Sequence, residues 1–372
     1  MLPVYSPESH SLYQDFFISN FLLYYPDPFS ISRQTWKIIV QFWHLDLSQT
    51  TSILLGSYSK FGPAPRDPVS MLRSYLLSIK LKITSITDWV SRLKECPLYA
   101  IISGFYPDDV PGIGTFYDFF RHIWNSEQKH LSVQLRHKKK KIYMFVASDS
   151  SNGLPVFPIL ERASRHDMLS FLHTFFTMKT WLPEYRVTKL LLDAAHDADA
   201  VYRYCQESGI QPFIDLNSGN TGNFIYEDTF TINNDGVPVC KLGLHMKPDG
   251  VERSRNRCKW RCPKADRSGC HCETPCSDSS YGRVVHTPVK DNPRLFNIPP
   301  RNSLEWDKEY DRRTSVERSN KREKEDYKLE DGRHRSSMMW YCRLYCTMML
   351  QHLDAWEMPS IEAFQSLLSL DA

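Results

Sequence analysis

The sequence predicts an α/β protein with an all-α N-terminal domain and a cysteine-rich insertion. Apolar residues recur at helical spacing before residue 125, and short apolar runs of strand composition alternate with helical segments between residues 138 and 217. Turn residues and cysteines dominate from 218 to 300, and helical pattern returns over 301–372. With 41% hydrophobic and 24% charged residues, the 372-residue chain has the composition of a globular protein.

The N-terminal part is predicted to be helical throughout. Residues 1–60 form an aromatic-rich lead-in, and residues 61–130 form a domain whose helices are expected to start at Pro68, Ser85 and Thr115. Short helices separated by tight turns suit a helix-turn-helix DNA-binding domain. A helical scaffold without DNA contacts fits the same pattern nearly as well.

Residues 138–217 are predicted to hold the first part of the α/β core. Its elements follow the order strand, strand, helix, strand, helix, strand: 142–146, 154–160, a helix from Asp167, 187–192, 197–208 and 210–216. Open α/β sheets carry their chemistry at the carboxyl ends of strands. Asp193, which directly follows the run 187–192, is therefore the expected position of a site residue.

A second group of polar residues lies near the C-terminus. Tyr310, Arg313, Glu317 and Lys324 are separated by two, three and six residues, so the last three fall close to one face of an α-helix. A carboxylate placed there can hold Mg²⁺ while the cations and the phenol contact a phosphodiester backbone. A surface helix with i,i+4 ion pairs explains the same face without any function.

These residues carry a resemblance to a known family. The run from Tyr310 to Asn320 with Lys324 resembles the tyrosine-arginine-glutamate-lysine signature of bacterial insertion-sequence transposases of the DDE type. The segments 189–193 and 209–217 look like the strands around that family's second aspartate, and the helices over 66–124 resemble its N-terminal domain. The resemblance implies an RNase H-like catalytic fold and strand cleavage and transfer at the ends of a mobile element.

The resemblance also assigns roles to residues of this chain. It makes Asp193 the second and Glu317 the third catalytic carboxylate, both ligands of Mg²⁺ or Mn²⁺, and it makes Tyr310, Arg313 and Lys324 contacts to DNA. The partner is then double-stranded DNA of the element's terminal repeats, bound by a homodimer. Further basic side chains are expected to contact phosphates: Arg318, Lys321, Lys138, Lys139, Lys140 and Lys141.

The first catalytic aspartate is missing. It is expected on an opening strand before residue 142, but the thirteen residues between Trp124 and Lys138 contain no aspartate and no strand-like run. An internal deletion is the simplest explanation, and it leaves the first strand of the fold incomplete. Asp149 falls at a hairpin turn, at the opposite end of the sheet from Asp193. Asp167 is a weak substitute, because an N-cap role already accounts for it.

Three functions therefore stay open. The first is DNA transposition with an activity impaired by loss of the first aspartate, and the second is a non-catalytic DNA-binding remnant. The third is a zinc-stabilised interaction protein without a DNA role. The formal net charge of +3 does not decide among them, because it is too small to indicate a nucleic-acid binder by itself.

Five cysteines crowd into nineteen residues of an insertion with little visible core: Cys258, Cys262, Cys270, Cys272 and Cys276. Thiolates at such short spacings can close a tetrahedral zinc site that stabilises a turn-rich segment. Because the spacing is not a standard paired arrangement, zinc and free thiols are weighted equally. The other five cysteines are expected to be buried apolar residues.

The sequence also predicts where the protein resides. No apolar stretch reaches the ~18 residues of a membrane span, and the N-terminus has no basic segment of the kind that starts a signal peptide. A cytoplasmic, nucleoid-associated protein with reduced cysteines is expected.

Overall fold

The computed structural model describes residues 9–27, 31–58, 64–124, 142–162, 167–217, 224–227, 230–266, 268–301, 303–332 and 336–370. Lys138 to Lys141, and the stretch 125–137 in which the first aspartate is missing, lie outside these residues. The chain divides into two compact units. The first unit contains residues 1–149, 153–163 and 318–372, and the second contains residues 150–152 and 164–317.

The described residues form a mixed α/β structure. The α-helices in chain order are α1 (His10–Tyr24), α2 (Arg33–Trp43), α3 (Thr51–Leu55), α4 (Pro68–Lys80), α5 (Ile86–Glu95), α6 (Pro97–Ser103), α7 (Ile113–Ile123), α8 (Asp167–Trp181), α9 (Asp199–Ser208), α10 (Leu304–Tyr310), α11 (Thr314–Lys321), α12 (Ser337–Asp354) and α13 (Ile361–Leu370). The strands are β1 (Ile142–Asp149), β2 (Leu154–Arg162), β3 (Lys189–Leu192), β4 (Gln211–Ile214), β5 (Phe224–Glu227), β6 (Phe230–Ile232), β7 (Pro238–Cys240), β8 (Lys247–Glu252), β9 (Arg257–Arg261), β10 (Ala265–Asp266), β11 (Gly269–Cys270) and β12 (Val284–Pro288). Within the described part, no helix is both long enough and apolar enough to cross a membrane.

The predicted helix starts in the first unit are set by local capping. Asp67 accepts a hydrogen bond from the backbone N–H of Ser70 at 2.7 Å, with Pro68 as the first helical residue of α4. Ser85 caps α5 in the same way. The start expected at Thr115 is displaced, because Gly112 takes the extended N-cap conformation and α7 begins at Ile113.

The first unit has an aromatic core. Phe17 and Phe21 stack at 5.3 Å between ring centroids, and Trp89 is fully buried with its indole N–H donating to Ser74 Oγ at 3.0 Å. Cys346 and Leu350 of α12 belong to the same core, so residues distant in sequence complete the N-terminal helical region. Burying this apolar surface supplies most of the unit's stabilisation.

The predicted hairpin also belongs to the first unit. β1 and β2 pair antiparallel from Ile142 opposite Arg162 to Asp149 opposite Leu154. The hairpin packs on α12, where the Tyr341 hydroxyl accepts a hydrogen bond from the Leu160 backbone N–H at 3.3 Å.

The second unit contains a parallel strand pair and the insertion. β3 and β4 pair in parallel, from Lys189 opposite Gln211 to Leu192 opposite Ile214, with α9 connecting them. The described strands belong to five sheets of two or three strands. The α/β class and the N-terminal helices are thus confirmed.

The insertion has a core of its own, so the expectation of little visible core is wrong. Three of its strands form a sheet in the order β12-β9-β8, and the Trp260 ring of β9 is buried against Ile232, Val285 and Phe296. The Trp260 indole N–H donates to Thr287 Oγ1 at 2.9 Å. Period-2 alternation in strands of two to six residues is too short to reveal such a core in sequence.

A buried carboxyl group lies in the C-terminal part of the first unit. Glu323, only 1% exposed, belongs to a π-helical turn, Arg322–Asp326, and its Oε1 accepts a hydrogen bond from the Gln351 amide at 3.1 Å. Gln351 in turn accepts a hydrogen bond from the buried Ser319 hydroxyl. Burial raises the pKa of Glu323 to about 7.

Substitution of Glu323 by glutamine is expected to make the stability of the folded protein less sensitive to rising pH. The folded state favours the protonated carboxyl of Glu323. The contribution of this group to the stability of the fold is therefore fully present below pH ~4.5 and is lost as the pH rises towards 7. The free energy of unfolding of the wild type should therefore fall by about 2 to 3 kcal/mol relative to E323Q between pH 5 and pH 8. Urea unfolding at both pH values, with the exposed Glu325→Gln as control, measures this difference; an equal offset at both values contradicts it.

Candidate functional site

Two aspartates lie at the carboxyl edge of the parallel pair, where β3 and β4 end. Asp193 directly follows β3 and Asp215 directly follows β4. Their preceding residues, Leu192 and Ile214, are register partners, and the Asp215 backbone N–H donates to the Leu192 carbonyl at 3.4 Å. Both aspartates are exposed to solvent. The edge predicted for Asp193 thus carries a second acid.

Asp193 is held by its own chain. Its Oδ1 accepts a hydrogen bond from the Ala195 backbone N–H at 3.2 Å and lies 2.7 Å from Nδ1 of His196. The side chain of Asp193 is 54% exposed, whereas that of His196 is buried edge-on against the Phe171 ring. A buried imidazole therefore orients a carboxylate that solvent can still reach.

A helix from the C-terminal part of the chain packs against the same two strands. Glu309 of α10 forms an ion pair with Lys189 of β3 at 2.8 Å, and Trp306 packs against Phe213 of β4 with ring centroids 6.3 Å apart. Trp306 also stacks on Tyr310 at 4.5 Å. These contacts fix the Tyr310 ring at the end of α10.

Tyr310 lies within electrostatic reach of both aspartates. Its pKa is raised, first by burial and then by the negative charges of Asp215 and Asp193, while the positive charge of Arg313 lowers it. Residues more than a hundred positions apart in sequence are thus brought to one edge of the strand pair.

Arg313 links the tyrosine to the glutamate of the predicted signature. Its guanidinium carbon lies 5.7 Å from the centroid of the Tyr310 ring, and its Nη1 donates to Glu317 Oε1 at 2.9 Å. The Glu317 side chain is 59% exposed. Tyr310, Arg313 and Glu317 are therefore connected by contacts, and α10, which carries Tyr310, packs on the two strands that Asp193 and Asp215 follow. All of these residues belong to the second unit.

The single helical face expected to run on to Lys324 is not formed. A 3₁₀ turn at Asp311–Arg313 interrupts the helical region before α11, and the π-helical turn that contains Lys324 follows α11. Lys324 belongs to the first unit and pairs with Glu330 at 2.9 Å. The π-helical turn changes the rotation per residue between Glu317 and Lys324, so the i,i+7 relation of a regular α-helix does not hold for this pair.

The other predicted DNA contacts have differing positions. Arg318 and Lys321 are exposed residues of the first unit at the end of α11, and Lys321 lies 3.7 Å from Glu325. The four-lysine run lies outside the described residues.

Asp167 is the first residue of α8, but its side chain is outside the described part. Asp149 ends β1 at the hairpin turn, as expected.

The sequence reasoning missed Asp215 and His196 as site residues. Asp215 stood in the segment that resembles the transposase strand, and its position directly after a strand was the signal that could have identified it. His196 follows Asp193 at i+3, a spacing that a single turn converts into contact.

A buried ion pair stabilises the loop that follows β4. Asp197, predicted to open α9, is instead buried before that helix and accepts hydrogen bonds from Arg294 at 2.9 Å and from the Tyr202 hydroxyl at 3.1 Å. Its Oδ2 also accepts from the Asn217 backbone N–H at 2.8 Å. The guanidinium of Arg294, a residue of the insertion, therefore fixes the loop after β4. Removing either partner of such a buried pair is strongly destabilising.

Three of the predicted zinc ligands form a compact group. The Sγ atoms of Cys262, Cys270 and Cys272 lie within 4.8 Å of one another and could hold a metal ion. Cys262 directly follows β9. Cys270 lies on β11 of the small β10–β11 hairpin, opposite Ala265, and the hairpin places it near Cys262. We refer to these three residues as the thiol group.

The other two cysteines of the cluster differ from each other. Cys258 is a core residue of the insertion: its Sγ donates to the Asn297 carbonyl at 3.3 Å, and burial raises the pKa of its thiol to about 12. It is not part of the thiol group. Cys276 lies close enough to Cys262 for its charge to raise the pKa of that thiol, although burial is the larger cause.

Comparison with known proteins adds no relative: no protein-family model, no curated protein and no solved structure matches the chain. The carboxyl edge of β3 and β4 and the thiol group are therefore the features from which a function is inferred.

Proposed function

We propose that this chain is a protein of the insertion-sequence transposase type that binds duplex DNA at the carboxyl edge of β3 and β4, with strand cleavage impaired by loss of the first aspartate. One observation carries the proposal. Tyr310 contacts Arg313 and Arg313 contacts Glu317, while α10, which carries Tyr310, packs on β3 and β4, the strands that Asp193 and Asp215 follow.

The chemistry of this group suits a phosphodiester backbone. A guanidinium has five N–H donors in a fixed fork, and the Arg313–Glu317 contact uses one nitrogen, Nη1, so donors are left for phosphate oxygens. The Tyr310 phenol adds a donor beside it. In the proposal the basic residues Arg318, Lys321 and Lys324, with the run Lys138 to Lys141, add contacts along terminal-repeat DNA, bound by two copies of the chain.

The exposed carboxylates are the proposed ligands of a divalent cation. Asp193 and Asp215 directly follow register-paired residues at the strand ends, and Glu317, which is paired with Arg313, is the third acid of the proposal. Hard cations such as Mg²⁺ or Mn²⁺ favour carboxylates of this kind, and a bound cation would polarise a phosphate oxygen. In this proposal His196 keeps the Asp193 carboxylate in its orientation.

Strand cleavage is proposed to be impaired because two-metal catalysis needs a shared acid. In that chemistry the first aspartate commonly bridges the two ions, and this chain has none in the thirteen residues where the family places it. The same observation favours the second candidate function, a non-catalytic DNA-binding remnant. Both functions require DNA binding, whereas a zinc-stabilised interaction protein does not.

We further propose that the ion held by the thiol group is Zn²⁺ and that its role is structural. Three thiolates within 4.8 Å are soft ligands, which favour zinc over the hard cations expected at the carboxylates. In this proposal zinc stabilises the hairpin of residues 265–270, which has only two residues in each strand.

The DNA-binding proposal is tested with Arg313→Ala. Loss of a charged hydrogen bond to phosphate, worth roughly 1.5 kcal/mol, should weaken duplex binding about tenfold. Arg255→Ala is the matched control, because Arg255 is another arginine of the second unit paired with a glutamate, Glu252, at 3.8 Å, and its side chain is more exposed than that of Arg313. Fluorescence anisotropy with a labelled duplex measures both variants. Equal affinity of R313A and the wild type would exclude DNA binding at this edge.

A further inference from the structure

The thiol group has three members, and a tetrahedral zinc site needs four ligands. In such a site sulfur atoms lie about 3.8 Å apart, as follows from Zn–S distances of about 2.3 Å, so thiols within 4.8 Å need move only slightly to bind one ion. All ten cysteines of the chain are free thiols, so none of the three is held in a disulfide.

Three nearby side chains are the candidates for a fourth ligand: Cys258, His271 and Cys276. Cys258 is 2% exposed in the insertion core and bonded to the Asn297 carbonyl. The Nε2 atom of His271 lies 2.9 Å from Asp266 Oδ2 and 3.2 Å from Ser268 Oγ on the exposed side of the hairpin. The Cys258 thiol is thus engaged in the core. His271, between Cys270 and Cys272 in the chain, is held beside Asp266 and Ser268, and neither of its ring nitrogens is among the clustered ligand atoms.

Cys276 remains, and the chain path supports it. It lies four residues after Cys272 and is only partly buried, in the loop that leads from the group to Gly282. Its Sγ is not among the three within 4.8 Å of one another, so this loop must move to bring it to the ion. The segment that follows it returns to the thiol group: the Cys262 backbone N–H donates to the Arg283 carbonyl at 2.9 Å. A Cβ atom added at Gly282 would lie 2.9 Å from Cys262 Cβ, so the backbone there approaches the group directly.

We infer that Cys276 is the fourth ligand of a Zn²⁺ site formed with Cys262, Cys270 and Cys272. This inference rests on the proposed structural zinc and names its complete ligand set. A four-thiolate site joins the end of β9, the β10–β11 hairpin and the loop leading to β12. Residues 262–276 form a segment with few apolar residues of its own. Zinc therefore holds this segment against the β12-β9-β8 sheet.

Cobalt substitution of the intact chain tests the ligand set. Tetrahedral Co²⁺ bound by thiolates absorbs in the visible region, and its sulfur-to-metal charge-transfer band grows with the number of thiolates. Metal analysis of purified wild type should give one zinc per chain. The charge-transfer intensity should fall by about a quarter in Cys276→Ser, from four sulfur ligands to three. It should stay unchanged in Cys258→Ser, whose hydroxyl can still donate to Asn297.

A third variant separates ligand loss from misfolding. Cys276→His keeps a ligand at this position, so it should bind one Co²⁺ with a tetrahedral spectrum shifted by the nitrogen. An unchanged spectrum in Cys276→Ser, or a loss of intensity in Cys258→Ser instead, would overturn the assignment of Cys276 while leaving zinc in place. Wild type without zinc or cobalt binding would overturn the structural zinc itself. DNA binding is measured separately and is not expected to decide either result.

Discussion

Raising the salt concentration from about 50 mM to about 200 mM is expected to weaken duplex DNA binding by roughly a thousandfold or more. Each lysine or arginine that contacts a phosphate releases condensed counterions, so the logarithm of the affinity falls linearly with the logarithm of the salt concentration. The eight basic residues proposed as contacts would give a slope near −7, about 0.9 for each. They are Arg313, Arg318, Lys321, Lys324 and the four lysines from Lys138 to Lys141.

Fluorescence anisotropy at four or five salt concentrations measures this slope. Replacing the four lysines by glutamine should reduce the slope by about 4, whereas replacing Arg255 should leave it unchanged. An affinity that does not change between low and moderate salt would contradict the proposed DNA role and favour an interaction protein.

Features set by neighbouring residues could be predicted from the sequence. The starts of α4 and α5 follow from Asp67 with Pro68 and from Ser85, because an N-cap needs only a side-chain acceptor two or three residues before the N–H groups it binds. The hairpin turn at Gly153, whose φ is +69°, likewise follows from a residue that adopts this conformation at low cost. The position of Asp193 follows from the strand before it.

Features set by distant residues could not be predicted. The break after α11 accompanies the burial of Glu323, whose carboxyl bonds to Gln351 of a helix 28 residues further along the chain. A periodic pattern contains no information on such a contact, so the face through Lys324 was predicted as regular helix. The insertion core is similar, because the residues around Trp260 come from strands that are each too short to show a period.

The candidate site was predicted in part for the same reason. Tyr310, Arg313 and Glu317 were identified because they are close in sequence. The position of Asp215 directly after a strand is visible in the sequence, but its place beside Asp193 depends on the register of β3 and β4, which only the structure supplies. Among the cysteines, Cys258 and Cys276 look equivalent in sequence, and only burial separates the core residue Cys258 from the partly exposed Cys276.

The second large effect concerns catalysis. With Mg²⁺ or Mn²⁺, the protein is expected to give no detectable strand cleavage or joining. Loss of a single preorganised charge-stabilising group costs about 100- to 1,000-fold in rate, and loss of the acid that anchors a second metal should cost more. In the proposal Asp193 and Asp215 would hold one cation together with water molecules, but that cation would lack its partner. Inserting a strand that carries an aspartate between Trp124 and Lys138 is expected to restore cleavage.

Cleavage of duplex DNA that carries the sequences flanking this gene, assayed with both metals on denaturing gels, tests the central claim most directly. The protein as it stands is expected to bind this DNA without nicking it, and the chain with the restored strand is expected to nick it until Asp193→Ala or Glu317→Ala is introduced. Robust cleavage by the unaltered protein, abolished by Asp193→Ala and by Asp215→Asn, would contradict the proposed loss of activity, because Asp215 would then take the place of the missing first aspartate. If Asp167→Asn abolished it instead, that place would belong to Asp167.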